Sequence, residues 1–142
     1  MLPRTSTVQA TLVLELLDSD GDTNPVHAEL RYDSGDPFAV RGDFCLDDQV
    51  VRWVFARSLL RVGLYEPTGS GDVRVRPWLD DDGRAVLHIE LCSPDGSAVL
   101  QARANEVATF LRRSESLVPP GCESEHVDLD QALTHLLDQP AT

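Results

Sequence analysis

Val8, Ala10, Leu12, Leu14 and Leu16 alternate with Gln9, Thr11, Val13 and Glu15, the pattern of a strand with one buried face. After a polar turn from Asp18 to Pro25 the alternation resumes, with Val26, Ala28, Leu30 and Tyr32 inward against His27, Glu29 and Arg31. This predicts an antiparallel hairpin partner. Ser34-Gly35-Asp36-Pro37 has turn chemistry, and beyond it Phe38, Val40, Gly42 and Phe44 mark the inner face of a third strand. Asp47-Asp48 interrupts, and Val51, Trp53 and Phe55 then predict a fourth strand over Val50–Phe55. A short helix follows over Ala56–Val62, ended by Gly63 as a C-terminal glycine stop.

The loop Glu66–Asp72 leads to a second set of strands. Val73 and Val75 are set against Arg74 and Arg76; after the turn Asp80-Asp81-Asp82-Gly83, the next inner face carries Ala85, Leu87, Ile89 and Leu91. Ser93-Pro94-Asp95-Gly96 turns the chain into a last strand with Ala98, Leu100 and Ala102 inward. From Asn105 the period becomes helical, with Val107, Phe110 and Leu111 on one face and a stop near Val118-Pro119-Pro120. Asp128 is placed to cap a final helix striped by Leu129, Leu133, Leu136 and Leu137. About seven strands in runs, a short mid-chain helix and two C-terminal helices predict an α+β fold with antiparallel sheets. The residues before Thr7, the connector Glu123–Val127 and the tail after Asp138 are expected to be loose.

Composition narrows the function classes. The 142 residues suit one domain over 1–142, with an ordered core from about 7 to 138. Acidic residues number 24 and basic ones 12, for a net charge of −12 that repels phosphate backbones and anionic membranes. No apolar run approaches the ~20 residues of a membrane span, so no direct insertion is expected. The three cysteines include no CxxC pair and no signal-peptide core opens the chain, which favours a reducing cytoplasm.

Candidate chemistry is sparse. Gly69-Ser70-Gly71-Asp72 precedes a strand and lacks the phosphate-loop lysine. Asp18, Asp20 and Asp22 lack the closing glutamate of a calcium loop, and Asp80-Asp81-Asp82 fits a hairpin turn. His27, His88, His126 and His135 fall in separate segments without zinc spacing. No GxSxG is present, which leaves only a Cys–His pair, through Cys92 or Cys122, or an Asp–His pair assembled in three dimensions as an enzymatic option. No catalytic residue, metal or cofactor is assigned. Arg31, Arg41, Arg52, Arg74, Arg76 and Arg103 all fall on the outward side of predicted strands. Either they form a basic face for an acidic partner, another subunit or single-stranded nucleic acid, or Glu29, Asp43 and Glu90 pair with them. Trp53 is expected in the core. Trp78, beside Pro77 and Asp80, and Tyr65, beside Pro67, are the aromatic interface candidates.

Leu30-Arg31-Tyr32-Asp33, Asp36–Arg41, Val51–Leu60, Pro67–Pro77, Ser93–Gly96 and Val118–Gly121 occur in an order and spacing that resembles the SsgA-like proteins of sporulating actinobacteria. Ser58 stands where an acidic residue is common in them, and Arg76 where an apolar one is. The resemblance implies a non-enzymatic role in sporulation-specific cell division, marking septum sites and recruiting the tubulin-like protein FtsZ. It further implies a compact Whirly-like fold, a homotrimer, and partners among an SsgA-like paralogue and membrane-linked division proteins. The chain would then be cytoplasmic and drawn to the septum by its partners. On this reading Tyr65, Pro67, Arg74, Arg76 and Trp78 are the protein-interface candidates, and nucleic acid is not a partner.

Overall fold

In the computed structural model, which describes residues 6–126, seven strands build a single sheet in the order β4-β3-β2-β1-β7-β6-β5. The elements are β1 (Thr7–Leu17), β2 (Thr23–Asp33), β3 (Ala39–Leu46), β4 (Gln49–Ala56), α1 (Arg57–Gly63), β5 (Val73–Leu79), β6 (Ala85–Ser93), β7 (Gly96–Arg103) and α2 (Ala104–Leu117). The final helix predicted from Asp128 and the tail lie outside the described residues.

Every neighbouring pair of strands is antiparallel, so the architecture is the α+β class that the alternation implied. Two meanders, β1–β4 and β5–β7, meet only where Glu15–Leu17 pairs with Val99–Gln101. Beyond that contact β1 and β7 part, and the sheet curls. One core collects Leu14, Leu30, Val40 and Phe44 from the first meander with Val75, Leu87, Ile89 and Leu100 from the second. α2 closes it over β1, β6 and β7 with Val107, Phe110, Leu111 and Ser114 buried along one face, the spacing of a helical stripe. α1 packs on β5 and α2.

Several local expectations need correction. The second strand starts at Thr23, with Pro25 already opposite Glu15, because the β1–β2 hairpin is longer than its apolar stripe. Phe38 precedes β3 and is half-exposed, and Ala85 is exposed at the start of β6; alternation marks a face but not how far the core extends along it. Trp53 packs against the core only partly buried. The connector after Pro120 is not loose at its start: 123–126 is helical and Glu123 is buried.

Gly63 is not a left-handed stop. It is the last helical residue, and Leu64 caps the helix at φ −66°, ψ −22°. A Cβ at Gly63 would lie 2.3 Å from Val75 Cγ1, so the glycine is there because α1 touches β5.

Asp47 and Asp48 have φ of 48° and 63° in the loop closed by the Leu46–Gln49 pair. This is a type I′ turn made without glycine, in a conformation that L-residues resist and Asn-Gly favours. Asp47→Asn/Asp48→Gly is therefore expected to stabilise the protein by ~1 kcal/mol, read as a higher urea midpoint at unchanged slope.

Candidate interaction surface

The sheet face opposite the core holds all the singled-out arginines, as the alternation required. It does not bring them together. Arg31, Arg41 and Arg52 lie on β2, β3 and β4, while Arg74, Arg76 and Arg103 lie on β5 and β7. The strand order interposes β1 between the groups. The first group is also largely offset: Asp43 takes Arg52 Nε at 2.8 Å and Arg41 Nε at 3.7 Å, and Asp33 takes Arg31 Nε at 3.2 Å.

The hydrogen bond from Arg52 holds the Asp43 carboxyl below its usual range. At Asp33 burial pushes the carboxyl up, but the Thr7 hydroxyl and Arg31 together outweigh it and the value falls. Of the expected neutralising acids, Asp43 acts as anticipated and Asp33 does what was assigned to Glu29. Glu90 lies opposite Arg74 in register but accepts from the Cys92 thiol at 3.3 Å. That bond raises the Cys92 pKa, the wrong direction for a thiolate nucleophile.

The β5–β6 end is organised around Trp78. The Arg76 guanidinium sits 5.4 Å from the Trp78 ring centroid. Trp78 also stacks on His88 with centroids 5.5 Å apart and planes 25° from parallel. His88 Nε2–H donates to Gln101 Oε1 at 3.0 Å, and the Gln101 amide donates to Glu15 at 3.4 Å. Because the Gln101 nitrogen is committed to a carboxylate, its oxygen must accept, which places the His88 proton on Nε2. Trp78 is thus half-exposed yet backed by a buried ring, as an interface anchor requires.

Pro67, Arg74 and Arg76 line one cavity of about 210 Å³ with His88 and Glu90. Tyr65 stands 82% exposed just past α1. Four of the five sequence-derived candidates therefore gather at the β5–β6 end, with Tyr65 to one side.

The most buried charged group among the described residues was missed. Arg57, 1% exposed, opens α1 beneath the sheet. Its Nη1 donates to Val118 O at 2.9 Å and Ser114 Oγ at 3.3 Å, and its Nη2 to Glu123 Oε1 at 2.8 Å. The guanidinium lies 4.7 Å from the Tyr32 ring centroid. Burial pushes the Tyr32 hydroxyl up to about 12, although Arg57 pulls the other way, and its O–H donates to Pro37 O at 2.9 Å. At Glu123 burial acts to raise the carboxyl, and bonds from Arg57 and the Gly121 N–H overcome it and lower the value. These residues clamp α1, α2 and the segment after Pro120, well away from the outer face.

Among the described residues no group of His, Cys, Asp and Glu is placed to hold a metal ion. No described helix is long and apolar enough to cross a membrane.

Comparison with known proteins agrees with this architecture. Residues 26–123 match the family model described as Streptomyces sporulation and cell division protein, SsgA. The sporulation-specific cell division protein SsgB of Streptomyces coelicolor is 48% identical over 133 residues, 93% of this chain and 96% of the relative. Its counterpart in Kineococcus radiotolerans is 45% identical, over 94% of this chain and 82% of the relative. A solved SsgB structure, from work on mutations that correlate with longitudinal cell division during sporulation of S. coelicolor, superposes with a TM-score of 0.82 at 46% identity, over 86% of this chain and 96% of that one. The crystal structure of an SsgA-like sporulation-specific cell division protein from Thermobifida fusca superposes with a TM-score of 0.87 at 36% identity, over 96% of this chain and 99% of that one. With strands, helices and sequence matched over nearly the whole length, the chain belongs to the SsgA-like family of sporulation and cell-division proteins.

Proposed function

We propose that this chain is a non-enzymatic adaptor of sporulation-specific cell division that marks septum sites and recruits FtsZ. The observation that carries the reading is its relation to SsgB proteins across nearly the full length of both chains. The pre-stacked Trp78, with Arg74, Arg76, Pro67 and Tyr65 nearby, supports a protein-binding surface, because rigid aromatics and arginines dominate interface energetics. An SsgA-like paralogue and membrane-linked division proteins complete the partner set and bring the cytoplasmic protein to the septum. As a homotrimer it presents identical surfaces together, so modest affinities add to stable recruitment.

Single-stranded nucleic acid is the reading set aside. Acids offset the β2–β4 arginines and β1 separates them from the others, which favours a protein partner over a phosphate backbone. The experiment is light scattering of the pure protein alone and with FtsZ and GTP, with a single-stranded oligonucleotide titrated in parallel. A stable oligomer that changes FtsZ assembly and ignores the oligonucleotide is the expected result. A monomer that binds only the oligonucleotide overturns the proposal.

A further inference from the structure

The outer face carries a second, larger recess. Where β1 and β7 part beyond the Glu15–Gln101 pair, a groove of about 800 Å³ opens, reaching from Thr23 and Pro25 on β2 to Trp78 and Leu79 on β5. It spans five strands, so at ~4.8 Å per strand spacing, and more where β1 and β7 part, it is at least roughly 20 Å long, enough for about six or more residues of extended chain. A short linear segment fits that length; a folded domain does not.

We propose that this groove docks a cationic partner segment that projects an apolar side chain, an assignment that deepens the adaptor reading and rests on it only for the site's use in a complex. Charge selects the partner. Glu15, Asp80, Asp81, Asp82 and Glu106 line the groove against Arg84 and Arg103, leaving it net negative within a chain of −12. Such a cleft concentrates cations and repels nucleic acid and anionic lipid. Asp80 is occupied in its turn, accepting the N–H groups of Asp82 and Arg84 at 2.9 and 2.8 Å. That turn holds the exposed Asp81 and Asp82 at the groove's rim.

Shape selects the apolar side chain. Val13, Trp78 and Leu79 line the groove while 56%, 55% and 62% exposed. Val86, buried outside the main core, lies across the strand pair from Trp78. Because the stack on His88 already fixes the Trp78 ring, burying it under a partner costs little further ordering.

The test is fluorescence anisotropy of a labelled short peptide in which lysines flank a pair of leucines, at low and physiological salt. Two controls replace the lysines by glutamates or the leucines by serines. Binding of the lysine–leucine peptide is expected to exceed that of either control by about tenfold or more, to weaken about tenfold in Trp78→Ala, and to lose part of its salt dependence in Asp81→Asn/Asp82→Asn. Val54→Ser, on the outer face of β4 at the far edge of the sheet, is expected to change nothing. Equal binding of the glutamate peptide overturns the proposal, as does wild-type affinity in both the Trp78 and the Asp81/Asp82 variants. Sedimentation showing that Trp78→Ala dissociates a self-assembled oligomer overturns it too, because the face then belongs to a second copy. If Trp78→Ala fails to fold by circular dichroism, Trp78→Phe and the charge variant decide. A protein that passes the FtsZ assay and ignores the peptide removes this site alone; the reverse pattern removes only the recruitment reading.

Discussion

Arg57→Ala is expected to cost the fold ~3–5 kcal/mol, because it takes from the buried Glu123 carboxylate its partner at 2.8 Å and leaves only Arg61 Nη1, 4.0 Å away. That is a large share of the ~5–15 kcal/mol by which domains are stable, and a thermal midpoint lower by about 10 °C or more should report it. The loss falls on three places together: Ser114 on α2, Val118 O at its end, and Glu123 at the start of the helical 123–126 segment all lose the same donor. Arg57→Met combined with Glu123→Leu should recover most of the stability, since removing both charges removes the desolvation cost with the attraction. If the double variant is as unstable as Arg57→Ala, the charge pair is not the cause.

The same pair gives the protein an acid limb. The folded-state value of Glu123 lies below its ordinary 4.5, so its contribution is fully present above that pH and is lost as pH falls through the lowered folded value. Asp33 and Asp43, also lowered, add to the limb from the surface, where ion pairs count for less. Glu123→Gln should flatten only its own part of the loss.

Gly63→Ala should destabilise the protein by ~1–3 kcal/mol, although alanine at an exposed helical site would add up to ~1 kcal/mol. The new Cβ would sit 2.3 Å from Val75 Cγ1 and 2.7 Å from Val75 Cβ, so α1 must lift from β5 or the strand must shift. Urea titrations of Gly63→Ala alone and in a Val75→Ala background separate the causes. Close approach predicts that the penalty shrinks by ~1 kcal/mol or more when Val75 is trimmed. A left-handed cap would instead predict an unchanged penalty and tolerance of Gly63→Asn.

Alternation located all of the described strands, because a strand buried on one face must alternate whatever it pairs with, and the change to a helical period located α2. It failed where burial depends on neighbours that the sequence does not name. Phe38 has the composition of a core residue and lies outside the core. Pro25 looks like the end of a turn and lies in a strand. At the surface, the outward arginines were legible one by one, and so was the exposed place of Trp78 at the end of β5. The second set of groove residues was not: Val13, Leu79 and Val86 are ordinary apolar positions until β1 and β7 diverge beside them. Arg57 gave one faint signal, a charge set among Phe55, Ala56, Leu59 and Leu60. Its partner is 66 positions away in a stretch expected to be a loose connector.

The sequence by itself therefore determined the class of fold, the outward side of each strand, and the family, since each is carried by local periodicity or by contiguous strings of residues. Tertiary structure decided strand order, and with it the separation of the arginines by β1. It also decided the contact that makes Gly63 obligatory and the pairing of Arg57 with Glu123. The physical reason is common to all of these: they are contacts between residues distant in the chain, whose energy depends on which surfaces the closing sheet brings face to face.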